Sequence, residues 1–207
     1  MPARVMVSVP TFDRSMKAAT AESIGNAIDF AESEGMLDGV VHHHVSGYAV
    51  ATARNAMAQA AIDEGVDYLW MVDSDMVVPR DALARLLSHD VEVCTGWAVR
   101  GSSDNGTTSV IKPSSQGFHD SYNRAFLRSI DDGLILVKGN GMACALLRVD
   151  VFRRFARPWF KFVEHANGEG LSEDYWFCQQ CAAYGVKVWV DPLVGCGHIH
   201  DRVLEAR

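Results

Sequence analysis

Apolar and polar positions along the first half of the chain alternate between two periods. Arg4-Val5-Met6-Val7-Ser8-Val9 is a β-branched run ended by Pro10. From about Ser15 to Glu34 the apolar positions Ala18, Ala21, Ile24, Ala27, Ile28 and Ala31 share one side of a helix, and Gly35 follows as a stop signal. Gly39 to Val45 reads as a second strand, and Ala49 to Glu64 as an Ala-rich helix ended by Gly65. Asp67 to Val72 is a third strand, apolar enough to be buried on both faces. Pro79 opens a short helix through Leu87, and Val91 to Thr95 is a fourth strand. Strands alternating with helices predict a mostly parallel α/β sheet covered on both faces.

The second half reads differently. Gly101 to Gln116 is rich in Ser, Gly, Asn and Thr, which predicts a loop. Leu134 to Val137 and Ala143 to Leu147 are strands separated by Lys138-Gly139-Asn140-Gly141. Val149 to Phe155 reads as a short helix. Ser172 to Tyr184 reads as a longer one, with Ser172 as N-cap and Gly185 as stop. Val186 to Val190 is the last strand. No repeat or linker interrupts the pattern, so a single domain over residues 1–207 is expected.

Composition narrows the class. The 207 residues are 48% hydrophobic and 22% charged, the balance of an ordinary globular protein long enough to bury a core without staples. No apolar run approaches the roughly 20 residues that span a bilayer, and the start lacks a signal-peptide pattern, so a soluble, cytoplasmic protein is expected. A net charge of −7 disfavours nucleic-acid binding through bulk charge. Against that trend, Arg148 to Lys161 carries five basic residues and one acid, interleaved with Phe152, Phe155, Trp159 and Phe160. Such a pattern suits phosphates and stacked bases, but core aromatics with solvated arginines are the simpler reading. Five cysteines, an odd number, read as reduced thiols. Cys178-x-x-Cys181 followed by Cys196-Gly-His198 resembles half a zinc ribbon, yet the second pair is too tightly spaced, and buried free thiols are expected.

The candidate chemistry begins at Leu69-Trp70-Met71-Val72-Asp73-Ser74-Asp75-Met76. Two carboxylates directly follow a buried strand, and ligands in open α/β sheets bind beyond the carboxyl ends of strands. With the chain still extended, Asp73 and Asp75 lie on the same side and repel each other unless a cation neutralises them. Hard oxygen ligands suit Mn²⁺ or Mg²⁺. Arg54, near the mouth of the sheet, suits a diphosphate. Gly139 and Gly141 allow close backbone approach. Glu173 and Asp174 favour the helix N-terminus they open, and either can accept a hydroxyl proton. His198 competes with His200 as a late metal ligand. His42-His43-His44 splits between strand faces and reads as structural or acceptor-side.

Taken in order, Val9-Pro10-Thr11, Ala53-Arg54-Asn55, Asp73-Ser74-Asp75, Gly139-Asn140-Gly141-Met142, Ser172-Glu173-Asp174 and Gly197-His198-Ile199-His200 resemble the GT-A nucleotide-sugar glycosyltransferases. The likeness is to small bacterial and phage-type members of the family-2-like group and runs from about Arg4 to His200. It implies a GT-A-like (Rossmann-like) fold and transfer of a sugar from a nucleoside diphosphate sugar, UDP- or GDP-linked, to an acceptor hydroxyl. The acceptor implied is a glycan, a small molecule or a modified DNA base, and the location the cytoplasm, or the host cytoplasm for a phage protein. By the resemblance, residues of about 1–100 form the nucleotide-sugar-binding half, and Pro10, Thr11, Asp13, Arg54, Asp73, Ser74, Gly139 and Gly141 bind the donor. Asp73, Asp75 and His198 hold the metal. Residues of about 101–207 form the acceptor and catalytic half, with Asp174 as base in an inverting reaction and Glu173 beside it. Two other classes compete. One is a haloacid-dehalogenase-type phosphatase using Asp73 as nucleophile, whose second acidic site would fall at Asp191. The other is a non-catalytic nucleotide- or glycan-binding domain.

Overall fold

Leu69 and Met71 pack to one side of a sheet while Trp70 and Val72 pack to the other, and both sides are sealed by helices. This follows from a five-residue strand with no exposed position, which needs cover on both faces. The computed structural model describes residues 1–99, 106–164 and 170–199. Its first half runs β1 (Ala3–Thr11), α1 (Ala18–Ser33), β2 (Leu37–Ser46), α2 (Val50–Glu64), β3 (Tyr68–Val72), β4 (Met76–Val77), α3 (Ala82–Ser88) and β5 (Val93–Trp97). α2 ends where the sequence stops it, on Gly65 at φ 63°, a left-handed cap that glycine adopts without strain.

The second half runs β6 (Thr107–Ile111), β7 (Ser121–Asn123), α4 (Arg124–Arg128), β8 (Ile135–Val137) and β9 (Cys144–Arg148). It continues with β10 (Val163–Glu164), β11 (Gly170–Leu171), α5 (Glu173–Ala183), β12 (Val188–Gly195) and β13 (Gly197–His198). The expected loop over Gly101–Gln116 is corrected in part, and its residues 101–105 lie outside the described residues. Thr107–Ile111 is a strand paired with β7, with Val110 and Ile111 fully buried. Four of its five residues are β-branched, a signal hidden by the polar residues around it. The expected helix at Val149–Phe155 is a 3-10 turn over Val149–Arg153.

Seven strands form the main sheet in the order β2-β1-β3-β9-β5-β12-β8. Five of them run the same way, while β9 and the edge strand β8 are reversed. α2 and α5 cover one face through Met57, Phe177 and Cys181, and α1 and α3 cover the other through Ile24, Ile28 and Leu83. The protein has a mixed α/β architecture whose central sheet is mostly parallel in strand direction, with β9 reversed at its middle. In the basic segment Phe152, Phe155, Trp159 and Phe160 are all buried in the first of these layers. All five cysteines are free thiols and four are buried. Among the described residues, no helix is long and apolar enough to cross a membrane.

Candidate active site

β1 and β3 are parallel neighbours, so their carboxyl ends open on the same edge of the sheet. There a cleft of about 310 Å³ is lined by Asp73, Asp75, Ser109, Gly141, Asp174 and His198, among others. The chain does not stay extended after β3, which corrects one sequence expectation. The Met76 N–H bonds back to the Asp73 carbonyl at 3.1 Å and closes a turn, so the two aspartates face different partners.

Asp73 faces Arg54, whose Nη2 donates to both carboxylate oxygens at 3.1 and 3.2 Å. Nη1 of the same guanidinium donates to Glu173 Oε1 at 2.9 Å and to Asp174 Oδ1. Small residues on α2, Ala53 and Ala58, let the helix lie close to the sheet, and Arg54 is only 2% exposed. Its planar fork suits such multiple pairing. The sequence expects this fork to grip a diphosphate. Here it is already committed to three carboxylates, and it stands behind the cleft.

The three carboxylates respond differently to their setting. Burial and a hydrogen bond to Asp174 push Glu173 up to about 8. Burial acts on Asp174 in the same direction, but the Arg54 charge and bonds from Glu173 and the Met142 N–H outweigh it and hold Asp174 below the usual carboxylate range. Loss of water raises Asp73 despite Arg54. Arg54 itself is held protonated more firmly than a free guanidinium. The arrangement therefore keeps Asp174 ionised beside a protonated Glu173. Both acids open α5, but Ser172 makes no capping bond through its side chain, contrary to expectation.

Asp75 faces His198, with Oδ2 and Nε2 3.2 Å apart. A two-residue ribbon makes this contact. β13 pairs antiparallel with β4, His198 opposite Met76, and the Ile199 N–H donates to the Asp75 carbonyl at 2.9 Å. His198 Nδ1 lies 3.4 Å from the Val99 carbonyl, an outer contact that fixes the ring and leaves Nε2 toward Asp75. Among the described residues no three His, Cys, Asp or Glu side chains close around one point. A carboxylate and an imidazole on an open cleft still fit Mn²⁺ or Mg²⁺, which take their remaining ligands from substrate oxygens and water. His200 lies outside the described residues.

The other expected donor residues sit around this centre. Thr11 is buried and its Oγ1 is 2.6 Å from His44 Nε2, with Pro10 half-buried before it. Exposed Asp13 accepts from the Ser15 hydroxyl and N–H at 2.6 and 3.0 Å, which lowers its pKa. The Ser74 carbonyl accepts the Lys17 N–H at 3.1 Å, tying the loop after β1 to the turn after β3. Gly139 is a packing glycine in this structure, since a Cβ there would come within 2.9 Å of Phe118. Gly141 does line the cleft, where a Cβ would meet Asp174 Oδ2 at 3.4 Å.

Two residues in the site were missed in the sequence. Tyr175 lines the cleft, and its hydroxyl donates to the Ser109 carbonyl at 3.0 Å. Ser109, hidden in the expected loop, donates from Oγ to Asn140 at 2.6 Å. Asn140 is fully buried and donates to Thr95 and to the Gly96 carbonyl. An Asn between two glycines was the available signal. Asp191 stands apart from the cleft, fully buried and held by Arg85 and His89. That placement removes the second acidic site that a haloacid-dehalogenase-type reading needs.

No protein-family model and no curated protein sequence matches the chain. Its fold recurs in solved structures. The A197 protein from STIV is 17% identical over 96% of this chain and 86% of its own, with a TM-score of 0.60. GalNAc-T7, crystallised with UDP, GalNAc and Mn²⁺, is 13% identical over 96% of this chain and 44% of its own, with a TM-score of 0.57. A mutant Drosophila β1,4-galactosyltransferase 7, crystallised with manganese, UDP-Gal and xylobiose, is 17% identical over 95% of this chain and 71% of its own, with a TM-score of 0.50. The fold is thus GT-A-like, the architecture of these glycosyltransferases.

Proposed function

We propose that this protein is a metal-dependent glycosyltransferase that moves a sugar from a nucleoside diphosphate sugar, UDP- or GDP-linked, to an acceptor hydroxyl. The observation that carries the reading is the convergence of Asp75, His198 and Asp174 on one cleft at the carboxyl edge of a GT-A-like sheet. On this reading the half before residue 100 holds the donor, and the later half supplies the base and the acceptor site.

Asp75 and His198 would hold Mn²⁺ or Mg²⁺. Bound there, the ion would act as a Lewis acid on the leaving diphosphate. Asp73, Asp75 and Asp174 leave the cleft with more negative charge than Arg54 offsets, a field that favours a divalent cation. Asp174 accepts the proton of the acceptor hydroxyl. The freed oxygen attacks the anomeric carbon, and the bond to the diphosphate breaks with its electrons passing to the phosphate oxygen. Attack from the face opposite the leaving group inverts the anomeric configuration. Arg54 positions Asp174 and touches no substrate.

Thermal unfolding with UDP and GDP, each with and without Mn²⁺, tests the reading. A ligand at 100 times its Kd adds about 2.7 kcal/mol of stability. The expected result is a cation-dependent rise with at least one nucleotide, and its absence with both overturns the proposal. Asp174→Asn keeps the shape but cannot take the proton, and its amide NH₂ turns a donor toward either Arg54 or the Met142 N–H. Transfer should fall by about 10²–10⁴-fold with the nucleotide-induced rise intact. Donor binding with neither transfer nor donor hydrolysis in the native protein would point to a binding domain instead.

A further inference from the structure

Beside the catalytic cleft lies a larger trough of about 680 Å³, and the two share Ser172 and Tyr175. We infer that this trough holds the acceptor and that the acceptor is a saccharide, an inference that rests on the glycosyltransferase reading above. The floor of the trough is one face of α5, where buried Tyr175 and exposed Gln179 and Ala182 recur at helical spacing. Asp174 stands between Ser172 and Tyr175 at the head of that helix. Asp174 lines the cleft rather than the trough, so a hydroxyl reaching over the shared Ser172 and Tyr175 rim faces the group that takes its proton.

The walls select the class of ligand. Phe118 stacks on Tyr175 at 4.9 Å, and Lys138 Nζ lies 5.4 Å from the Phe118 ring while donating to the Ser115 carbonyl at 2.6 Å. The wall is thus fixed before a ligand arrives. Among the described residues no carboxylate lines the trough, in a chain with 26 of them. A nucleic-acid strand needs a track of cations along its phosphates, and the trough offers one lysine. A lipid needs a continuous apolar wall, which His119, Lys138 and Gln179 interrupt. An extended peptide needs a long open strand edge to pair with, and the trough offers only the two residues of β11 beside a helical floor. A saccharide matches. Its hydroxyls find the polar groups of His119, Lys138, Ser172 and Gln179, and its C–H faces find Leu171 and Ala182. The volume lies within the roughly 300–1,000 Å³ of small-molecule sites.

Labelled protein with UDP or GDP and Mn²⁺ on an array of immobilised oligosaccharides, with duplex DNA spots alongside, tests this. The variant is Ala182→Trp, at an exposed helix position where the indole fills the trough without entering the core. Native protein should be retained on a subset of saccharides and not on DNA. Ala182→Trp should weaken that retention by about tenfold or more, about 1.4 kcal/mol, with the nucleotide-induced thermal shift unchanged. Retention on DNA alone, or on no saccharide although the nucleotide shift is present, overturns the saccharide assignment. Undiminished retention of Ala182→Trp overturns the trough as its place. A native protein with no nucleotide shift instead overturns the transferase reading beneath both.

Discussion

Arg54 pairs with three carboxylates, two more than neutrality requires, and Glu173 relieves part of the excess by keeping its proton. The sign of the resulting pH dependence can be worked out. In the unfolded chain Glu173 ionises near 4.5, and in the fold near 8. Between those values the native state binds one proton more than the unfolded state, so this residue's contribution to stability falls as pH rises. Glu173→Gln removes the titration, and its melting temperature should drop less between pH 6 and pH 8 than that of the native protein. Parallel profiles in calorimetry would show that Glu173 is ionised in the fold. Removing the cation is costlier. Arg54→Met leaves buried carboxylates unpaired and should cost about 3–5 kcal/mol in urea unfolding. The sequence offered Arg54, Asp73, Glu173 and Asp174 as candidates but not as one cluster. Its carboxylates lie 19 to 120 residues from Arg54, and residue spacing carries no record of which distant side chain answers which.

At the scale of elements, the two-residue strands matter most and are least legible. β4 and β13 are too short to show a period, yet their pairing brings His198 to Asp75. Ile199→Pro deletes the N–H that bonds the Asp75 carbonyl and leaves both side chains in place. The expected outcome is a nearly unchanged circular dichroism spectrum and urea midpoint, with the Mn²⁺-dependent part of the nucleotide shift reduced toward that of Asp75→Ala. A full shift in the variant would mean the ribbon is not what orients the pair. Long elements were legible because their signals are redundant. α1 and α2 each show an apolar stripe and a terminal glycine, and each falls within three residues of its expected bounds. β6 was not, since five residues of correct strand chemistry were outweighed by polar neighbours.

Over the whole molecule, the net charge and the fate of the basic segment agree. Arg148 pairs with Asp90, Arg154 with Glu92 and Arg153 with Asp150, while Arg157 donates to Gln59 and Lys161 lies over Trp176. Three of the five basic residues are thus paired with acids, and the aromatics are core. Fluorescence anisotropy with a labelled duplex should therefore show no saturable binding at physiological salt. Binding that falls steeply with salt, a log–log slope of about −3 or beyond, would reveal several phosphate contacts and restore DNA as a partner. The α/β class was readable from alternation alone. The reversal of β9 was not, because Cys144-Ala145-Leu146-Leu147-Arg148 packs equally well in either direction and only the path of the chain decides.

That reversed strand also imposes an order of events on synthesis. Among the described residues β9 alone joins β3 to β5, and it leaves the ribosome after both. From Trp97 to Arg148, about 50 residues of translation at roughly 5–20 residues per second, a nascent chain carries two apolar strands with nothing between them for about 3–10 s. Chaperone capacity during that interval, more than the stability of the finished protein, is then expected to set the yield of folded product.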